Sequence, residues 1–393
     1  MFNMLERSGR KDGFSLNMSS LNTTASESTH NTDHRAWIPD ILSIPVYAGL
    51  TLISAAIALF FCFSVQIDHA SSSAVTVMII ANTNRAAMGQ KSIARLIGTL
   101  IACIAMNTVF AHFAQAPWMF LFTFACWMGL CVFVAIIAPT PSFAYAATMS
   151  AITVGIIAIQ QMEPADIFKD SVDRFLVVGI GIGSVWLVFG LIPGILNNVF
   201  KSHTASIKKT VPEPAQSTPV NWFKALRGGL STVFVVLIGC TFWALTTWSD
   251  GSVMFLVYGI FTATLIQTDQ VVQATIVSLF VVLIAILCAF LCLFCVLPYV
   301  QGFPMLMVAL SIFLLPGFLI KNHPVFGMVS PAFLSMVISL IAPANAMNYN
   351  VTAFMNEALA FVIGLGLSGI TISLILPSSI RLPIAVIKPT SST

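Results

Sequence analysis

Charge is what this sequence lacks. Only 8% of its 393 residues are Asp, Glu, Lys or Arg, against 58% apolar residues, whereas a soluble domain carries about 25% charged residues to cover its water-facing surface. A mean hydropathy of +0.95 and repeated apolar stretches of about 20 residues place the chain in a bilayer. The net charge of +3 is small and gives no footing for a nucleic-acid partner. No secretory signal opens the chain: residues 1–36 are polar and rich in Ser, Thr and Asn, so 1–40 reads as a disordered cytosolic tail. No nucleophile–base pair or metal-ligand set stands out, so neither an enzyme nor a cofactor is expected. All eight cysteines lie in apolar runs. Cys288, Cys292 and Cys295 share one helical face, but no His or carboxylate sits near them, and they read as packing residues rather than a metal or disulfide site.

What is there is a pattern stated twice. Asp68 precedes the apolar run Ser71 to Ala81 and a longer run from Ile93; Asp250, 182 residues on, precedes Ser252 to Ile266 and a long run from Val271. A carboxylate enters the last apolar helix of each half, Asp173 and then Glu357, 184 residues apart. Both helices pass through a glycine-rich stretch to Pro193 and Pro377, again 184 apart. Apolar and duplicated, the chain has the build of a membrane transporter whose halves pack around a shared path.

The expected fold is an all-α membrane protein of about 12 transmembrane segments. A first six-helix repeat occupies 41–196, a linker 197–224 follows with a Pro-rich stretch, a second repeat covers 225–377, and 378–393 is a short tail. An even number of segments per half makes the repeats parallel, related by an axis along the membrane normal. With the amino terminus inside, 15 of the 17 Lys and Arg residues fall on the cytoplasmic side, Lys321 among them, leaving Lys169 and Arg174 outside.

Within this frame a few residues carry chemistry. The second segment of each half is too short to cross about 30 Å as a straight helix, and helix ends inside the membrane expose backbone dipoles to a substrate. That reading marks Asn82 and Thr83 in the first half and Thr262 and Thr264 in the second as hydrogen-bonding groups. The plainer reading is a recessed helix with a polar cap. Lys91 and Arg95 share one face, with Gly98 and Thr99 allowing close helix contact one turn on. They read as an anion-attracting pair or as interfacial anchors whose stems snorkel. The positions around Val277 in the second half hold no cation, so the site is expected to be lopsided. Asp170 and Arg174 are spaced to pair. Asp173 and, more so, Glu357, which has no cation near it in sequence, are candidates for proton coupling because burial raises a carboxyl pKa.

Lys91-xxx-Arg95-xx-Gly98-Thr99 after a short segment resembles the membrane-domain signature of the fusaric acid resistance family of aromatic carboxylic acid exporters. So do Phe242-Trp243 with Trp248-Ser-Asp250-Gly251, Leu297-Pro298-xxx-Gly302-Phe303-Pro304, and Met347-Asn348-Tyr349-Asn350 with Ala353-Phe354-Met355-Asn356. The resemblance covers about residues 40–377. It implies an inner-membrane efflux component driven by the proton-motive force, with an organic acid as cargo and a periplasmic adaptor and outer-membrane channel as partners; a homo-oligomer is compatible with it. The six-helix unit is also similar to plant aluminium-activated malate channels. Family members usually carry a sizeable cytosolic domain where this chain has a 28-residue link (197–224). An uncoupled anion channel or facilitator, or an adaptor-binding membrane scaffold, are the alternatives.

Overall fold

The computed structural model describes residues 37–82, 84–160, 164–199, 222–246, 251–265, 270–322 and 327–375. Apart from residues 37–40, which are helical, both expected tails and most of the link between halves lie outside the described residues. Two compact units are distinguished, Met1–Ser43 and Ile44–Thr393. In the first, the described residues 37–43 are helical; the helix bundle discussed below belongs to the second.

Twelve α-helices make up the described chain, and no strand occurs among those residues. They are α1 (Trp37–Val65), α2 (Ser71–Ile80), α3 (Arg85–Phe113), α4 (Pro117–Ile137), α5 (Pro141–Gln160) and α6 (Pro164–Val199), then α7 (Trp222–Thr246), α8 (Gly251–Leu265), α9 (Val271–Phe290), α10 (Phe303–Leu319), α11 (Ser330–Ile341) and α12 (Val351–Ile375). Seven stretches among the described residues are long and apolar enough to cross a membrane, in α1, α3, α4, α5, α6, α9 and α12. Large apolar side chains stand exposed along the helices, as at Phe60, Phe234, Ile238 and Ile312. In a soluble protein such surface would be a liability; here it is the lipid-facing exterior.

Local sequence explains the breaks. Asn84 caps α3 by accepting hydrogen bonds from the Ala86 and Ala87 amides, which frees α2 to end after ten residues. Ten residues rise about 15 Å, half of a bilayer core. Downstream of α9 the helix widens into a π-helical stretch, Leu291–Val296, and tightens into a 3-10 turn at Leu297–Tyr299. There Pro298 removes a backbone donor, Gly302 takes φ +83°, and Pro304 stands in the first turn of α10. The LPxxxGFP motif is therefore a hairpin-forming break. The apolar run around α11 yields a short helix, because a 3-10 turn at Gly327–Val329 precedes α11 and Ala342, in a left-handed conformation, ends it.

Helix contacts recur at a step of six elements. α2 and α3 both pack on α6, as α8 and α9 pack on α12; α5 takes α3 and α4, as α11 takes α9 and α10. Between the halves, α2 meets α11 and α5 meets α8, while α4 lies against α7. Tyr47 and Phe60 of α1 meet Phe318 and Phe303 around α10 edge-on in the corresponding place. The inner faces use equivalent glycines: a Cβ on Gly181 would strike Ser73 and Thr76 of α2, and one on Gly364 would strike Met254 and Val257 of α8. α3 and α9, the third segments, do not form a packed pair; the short helices α2 and α8 reach the other half through α11 and α5.

Gly129 of α4 and Gly229 of α7 face each other so closely that a Cβ on either would meet the other's carbonyl oxygen. Gly229→Leu should lower the unfolding midpoint in detergent by several degrees, since overpacking such a seam costs about 1–3 kcal/mol. Gly179→Leu is the control, as nothing lies within 4 Å of its added Cβ. Equal midpoints for the two variants would show that the α4–α7 contact is dispensable.

Candidate functional site

Chemistry in an apolar bundle concentrates where charge is buried, because each such charge must be held against its solvation cost. Two guanidiniums meet that description. Arg95 of α3 is 9% exposed and Arg174 of α6 is 6% exposed, and each lies about ten residues inside its helix. The spacing that sets Lys91 and Arg95 on one face of α3 aims Arg95 at α5. Its Nη1 donates to the Tyr145 hydroxyl at 3.3 Å and rests 3.2 Å from the Met149 sulfur. Its Nε has no hydrogen-bond partner among the described residues. No carboxylate forms an ion pair with Arg95 among those residues; the Lys169–Asp68 pair lies elsewhere, at one end of α6.

Glycine makes this geometry accessible. A Cβ on Gly98 would run into the Ala146 carbonyl and the Met149 side chain, so α3 and α5 touch backbone to backbone one turn from Arg95. Arg174 sits nearby in electrostatic terms: it lies in the field of Arg95 and of Asp170, and its Nη1 donates to Ser72 Oγ of α2. Asn107 ties the same two helices together, donating to Ser171 Oγ at 2.8 Å. Two cations from α3 and α6 thus lie within each other's field in the interior.

At one end of α6 an acidic and basic cluster forms. Lys169 Nζ lies 2.6 Å from Asp68 Oδ2, both side chains more than half exposed. That hydrogen bond holds the Asp68 carboxyl below the usual carboxylate range. Burial, then the Arg174 charge, push the neighbouring His69 down to about 4, so it is neutral at physiological pH. Asp173 is half-buried and shares this field with Lys169, Asp68, Asp170 and His69.

At the other end the second half supplies a cation after all. Lys321, in the turn after α10, places its Nζ 2.7 Å from the centre of the Tyr47 ring. Burial, and next the charge of Lys91, push its ammonium down to about 7. The Tyr47 hydroxyl donates to the Ala81 carbonyl at the end of α2, 2.9 Å away. A cation of the second half thus lies in the field of Lys91 of the first, which the lopsided reading did not include. Sequence alone gave Lys321 only as one of the residues setting orientation, because its partner Tyr47 is 274 positions away (47 to 321).

The remaining expected residues divide. Asn82 uses its Oδ1 to accept from the Asn84 amide, a turn-forming role. Thr83 lies outside the described residues, as does the side chain of Thr264. Thr262 is buried with Tyr258 and Thr371 between α8 and α12; the hydroxyls of Thr262 and Tyr258 have no well-formed hydrogen bond among the described residues. It lies on the face of α8 turned to α12, and α5 stands between α8 and α3. Glu357 is half-buried near the start of α12 and does have an interaction partner, which removes the premise of an isolated carboxyl.

Comparison with known proteins adds the following. The model of the Fusaric acid resistance protein family matches residues 45–194 and again 194–386. Over 189 residues the chain is 27% identical to the p-hydroxybenzoic acid efflux pump subunit AaeB of Musicola paradisiaca, covering 48% of this chain and 29% of that protein. Over 121 residues it is 28% identical to the Uncharacterized transporter YdhK of Salmonella typhimurium, covering 31% of this chain and 18% of that one. The chain spans less than a third of the length of either relative. No solved structure matches.

The Lys321 geometry predicts a pH dependence. An ammonium whose pKa is held near 7 is charged below that pH and neutral above it. Apparent affinity for an organic anion should therefore fall by roughly up to fivefold from about pH 6 to pH 8, the weight of a partly exposed ion pair. With equal pH on both sides of the membrane, Lys321→Arg should flatten that profile. An unchanged profile in Lys321→Arg would assign the dependence to another group.

Proposed function

The chain belongs to the fusaric acid resistance protein family, and from that premise we propose that it exports aromatic or other organic acids across a bacterial inner membrane. The observation that carries this reading is the buried Arg95 guanidinium, held by a phenol and a thioether and by no carboxylate among the described residues. A structural arginine at this depth would be expected to have a counter-ion, since an unpaired buried charge is costly. Arg95 is instead arranged to gain one when a carboxylate arrives. A guanidinium suits that role because its planar fork makes two parallel bonds to a carboxylate.

The path follows the cations. Lys91 and Lys321 draw an anion to the cytoplasmic mouth, Arg95 binds its carboxylate in the interior, and Arg174 marks the next step toward the outer cluster. Asn82, Thr83, Thr262 and Thr264 are at most secondary hydrogen-bonding groups in this path. The two halves act as parallel six-helix repeats over 41–196 and 225–377, with the 197–224 link and both termini in the cytoplasm. Export is coupled to protons, with Asp173 in the outer cluster as the first candidate and Glu357 as the second. A periplasmic adaptor, an outer-membrane channel and self-association belong to the same family-based reading.

The test is p-hydroxybenzoate efflux from energised vesicles. Removing a charge-assisted pair costs roughly 1.5–3 kcal/mol, so Arg95→Ala should weaken transport about 10- to 100-fold, with Arg95→Lys between it and the parent. Wild-type transport by Arg95→Ala would overturn the site. For coupling, Asp173→Asn should leave downhill anion flux in place while abolishing its acceleration by an imposed proton gradient. If the gradient still accelerates flux in that variant, the proton passes elsewhere.

A further inference from the structure

A second feature of α3, α4 and α5 plays no part in the cation path. On the side of the α3–α5 seam away from Arg95, the three helices enclose a groove of about 500 Å³. Its rim is apolar and exposed, with Ile97 of α3, Leu130 of α4 and Phe143 of α5 at 48%, 50% and 62% exposure. An exposed apolar rim along membrane helices faces acyl chains, so the groove opens sideways into the bilayer.

Its floor is polar. Trp127 Nε1 and Ser150 Oγ are both buried and both without a hydrogen-bond partner among the described residues. Ser150 is 3% exposed; the Cys131 thiol beside it is at best a weak partner. Each residue stands near the middle of its helix, Trp127 in Pro117–Ile137 and Ser150 in Pro141–Gln160, at the depth where water is scarcest. A donor left unmade there costs about 1–3 kcal/mol. An acyl chain filling the groove would leave both groups unmade. A carboxylate would satisfy them but would arrive as an uncompensated charge, since no Lys, Arg or His lines the groove.

We propose that this groove is a lateral binding site for the neutral, protonated form of an aromatic carboxylic acid, taken from the bilayer. The acid's carbonyl oxygen accepts from Trp127 Nε1, its hydroxyl exchanges a hydrogen bond with Ser150, and its ring lies among Trp127, Ile97 and Phe143. Protonated aromatic acids partition into membranes, so such a site collects cargo that the cationic mouth cannot attract. Met149, which touches Arg95, is the chain neighbour of Ser150, so the groove and the guanidinium are separated by a single helix seam. The proposal rests on the organic-acid reading for the identity of the ligand.

The full chain in nanodiscs is titrated with para-bromobenzoic acid, whose heavy atom quenches indole fluorescence, and the Trp127 component is taken as the difference from Trp127→Phe. Only the neutral acid should bind, so the apparent Kd of that component should rise about tenfold for each pH unit above the acid's own pKa. Ser150→Ala should weaken binding about five- to tenfold, the worth of one buried hydrogen bond, and Ala147→Phe, which fills the groove, should leave only the quenching due to partition into lipid. Equal quenching in the parent, Ser150→Ala and Ala147→Phe would mean membrane partition alone and would overturn the proposal. Binding that persists unchanged as the acid ionises would overturn it as well. Arg95→Ala separates the two readings: it should keep groove binding while losing efflux, so equal quenching in the parent and the groove variants, with efflux lost in Arg95→Ala, refutes this site only, whereas normal efflux by Arg95→Ala with groove binding present refutes the cation path only.

Discussion

An arginine placed inside an apolar helix costs roughly 2.5–3.5 kcal/mol even on insertion scales that allow it to relax. Much of this bundle is arranged around bearing that cost at two positions. Arg95 reaches Tyr145 and Met149 only because Gly98 lets α3 press against the backbone of α5. Arg174 is held by Ser72 of α2 and by the field of Asp170. Its helix comes close to α2 because Gly181 presents no Cβ to Ser73 and Thr76. Small residues and buried cations are therefore one device: the glycines bring helices near enough for polar groups of a neighbouring helix to share the charge.

The same device explains why α2 is short. A helix of ten residues ends inside the bundle, where Ala81 presents its carbonyl to Tyr47 rather than to water. Tyr47 in turn carries Lys321 on its ring face, a placement that suits a cation because the ring's face is electronegative. Lys321 and the end of α2 are thus joined through one phenol, and the cation of the second half lies in the field of Lys91 of the first. Symmetry of function here does not require symmetry of sequence. The second half has no arginine where the first has Arg95, and it contributes a lysine from a different element.

Helix number, most helix boundaries and the buried arginine were legible in the sequence because they rest on local properties: apolar length, caps such as Asn84, and breakers such as Pro298 with Gly302. At α11 a left-handed Ala342 and a 3-10 turn shorten an apolar run that composition alone extends. The site was legible in part. Lys91 and Arg95 share a helix face, which spacing reveals, whereas the Lys169–Asp68 pair joins residues 101 positions apart and the Lys321–Tyr47 contact spans nearly three hundred. Asn82 was read as a ligand group because it is polar beside a short helix; its side chain is instead consumed by the turn it sits in. Thr262 shared that logic and faces the α12 seam.

Orientation of the third helix also escaped the sequence, for a physical reason. A duplicated chain suggests that its most charged segments line the shared axis, yet an axis crowded with cations would repel itself unless occupied. The bundle resolves this by putting the uncharged pairs α2–α11 and α5–α8 between the halves and holding Arg95 one helix back, against α5. Under the proposed function, an anion at Arg95 would sit against the helix that meets the second half, and a rearrangement of α5 in response would reach α8 through their contact. In a family of transporters, where access must alternate between two sides, coupling the binding charge to an inter-half helix gives the ligand differential contact with the two arrangements, which is the only way a ligand can shift such an equilibrium.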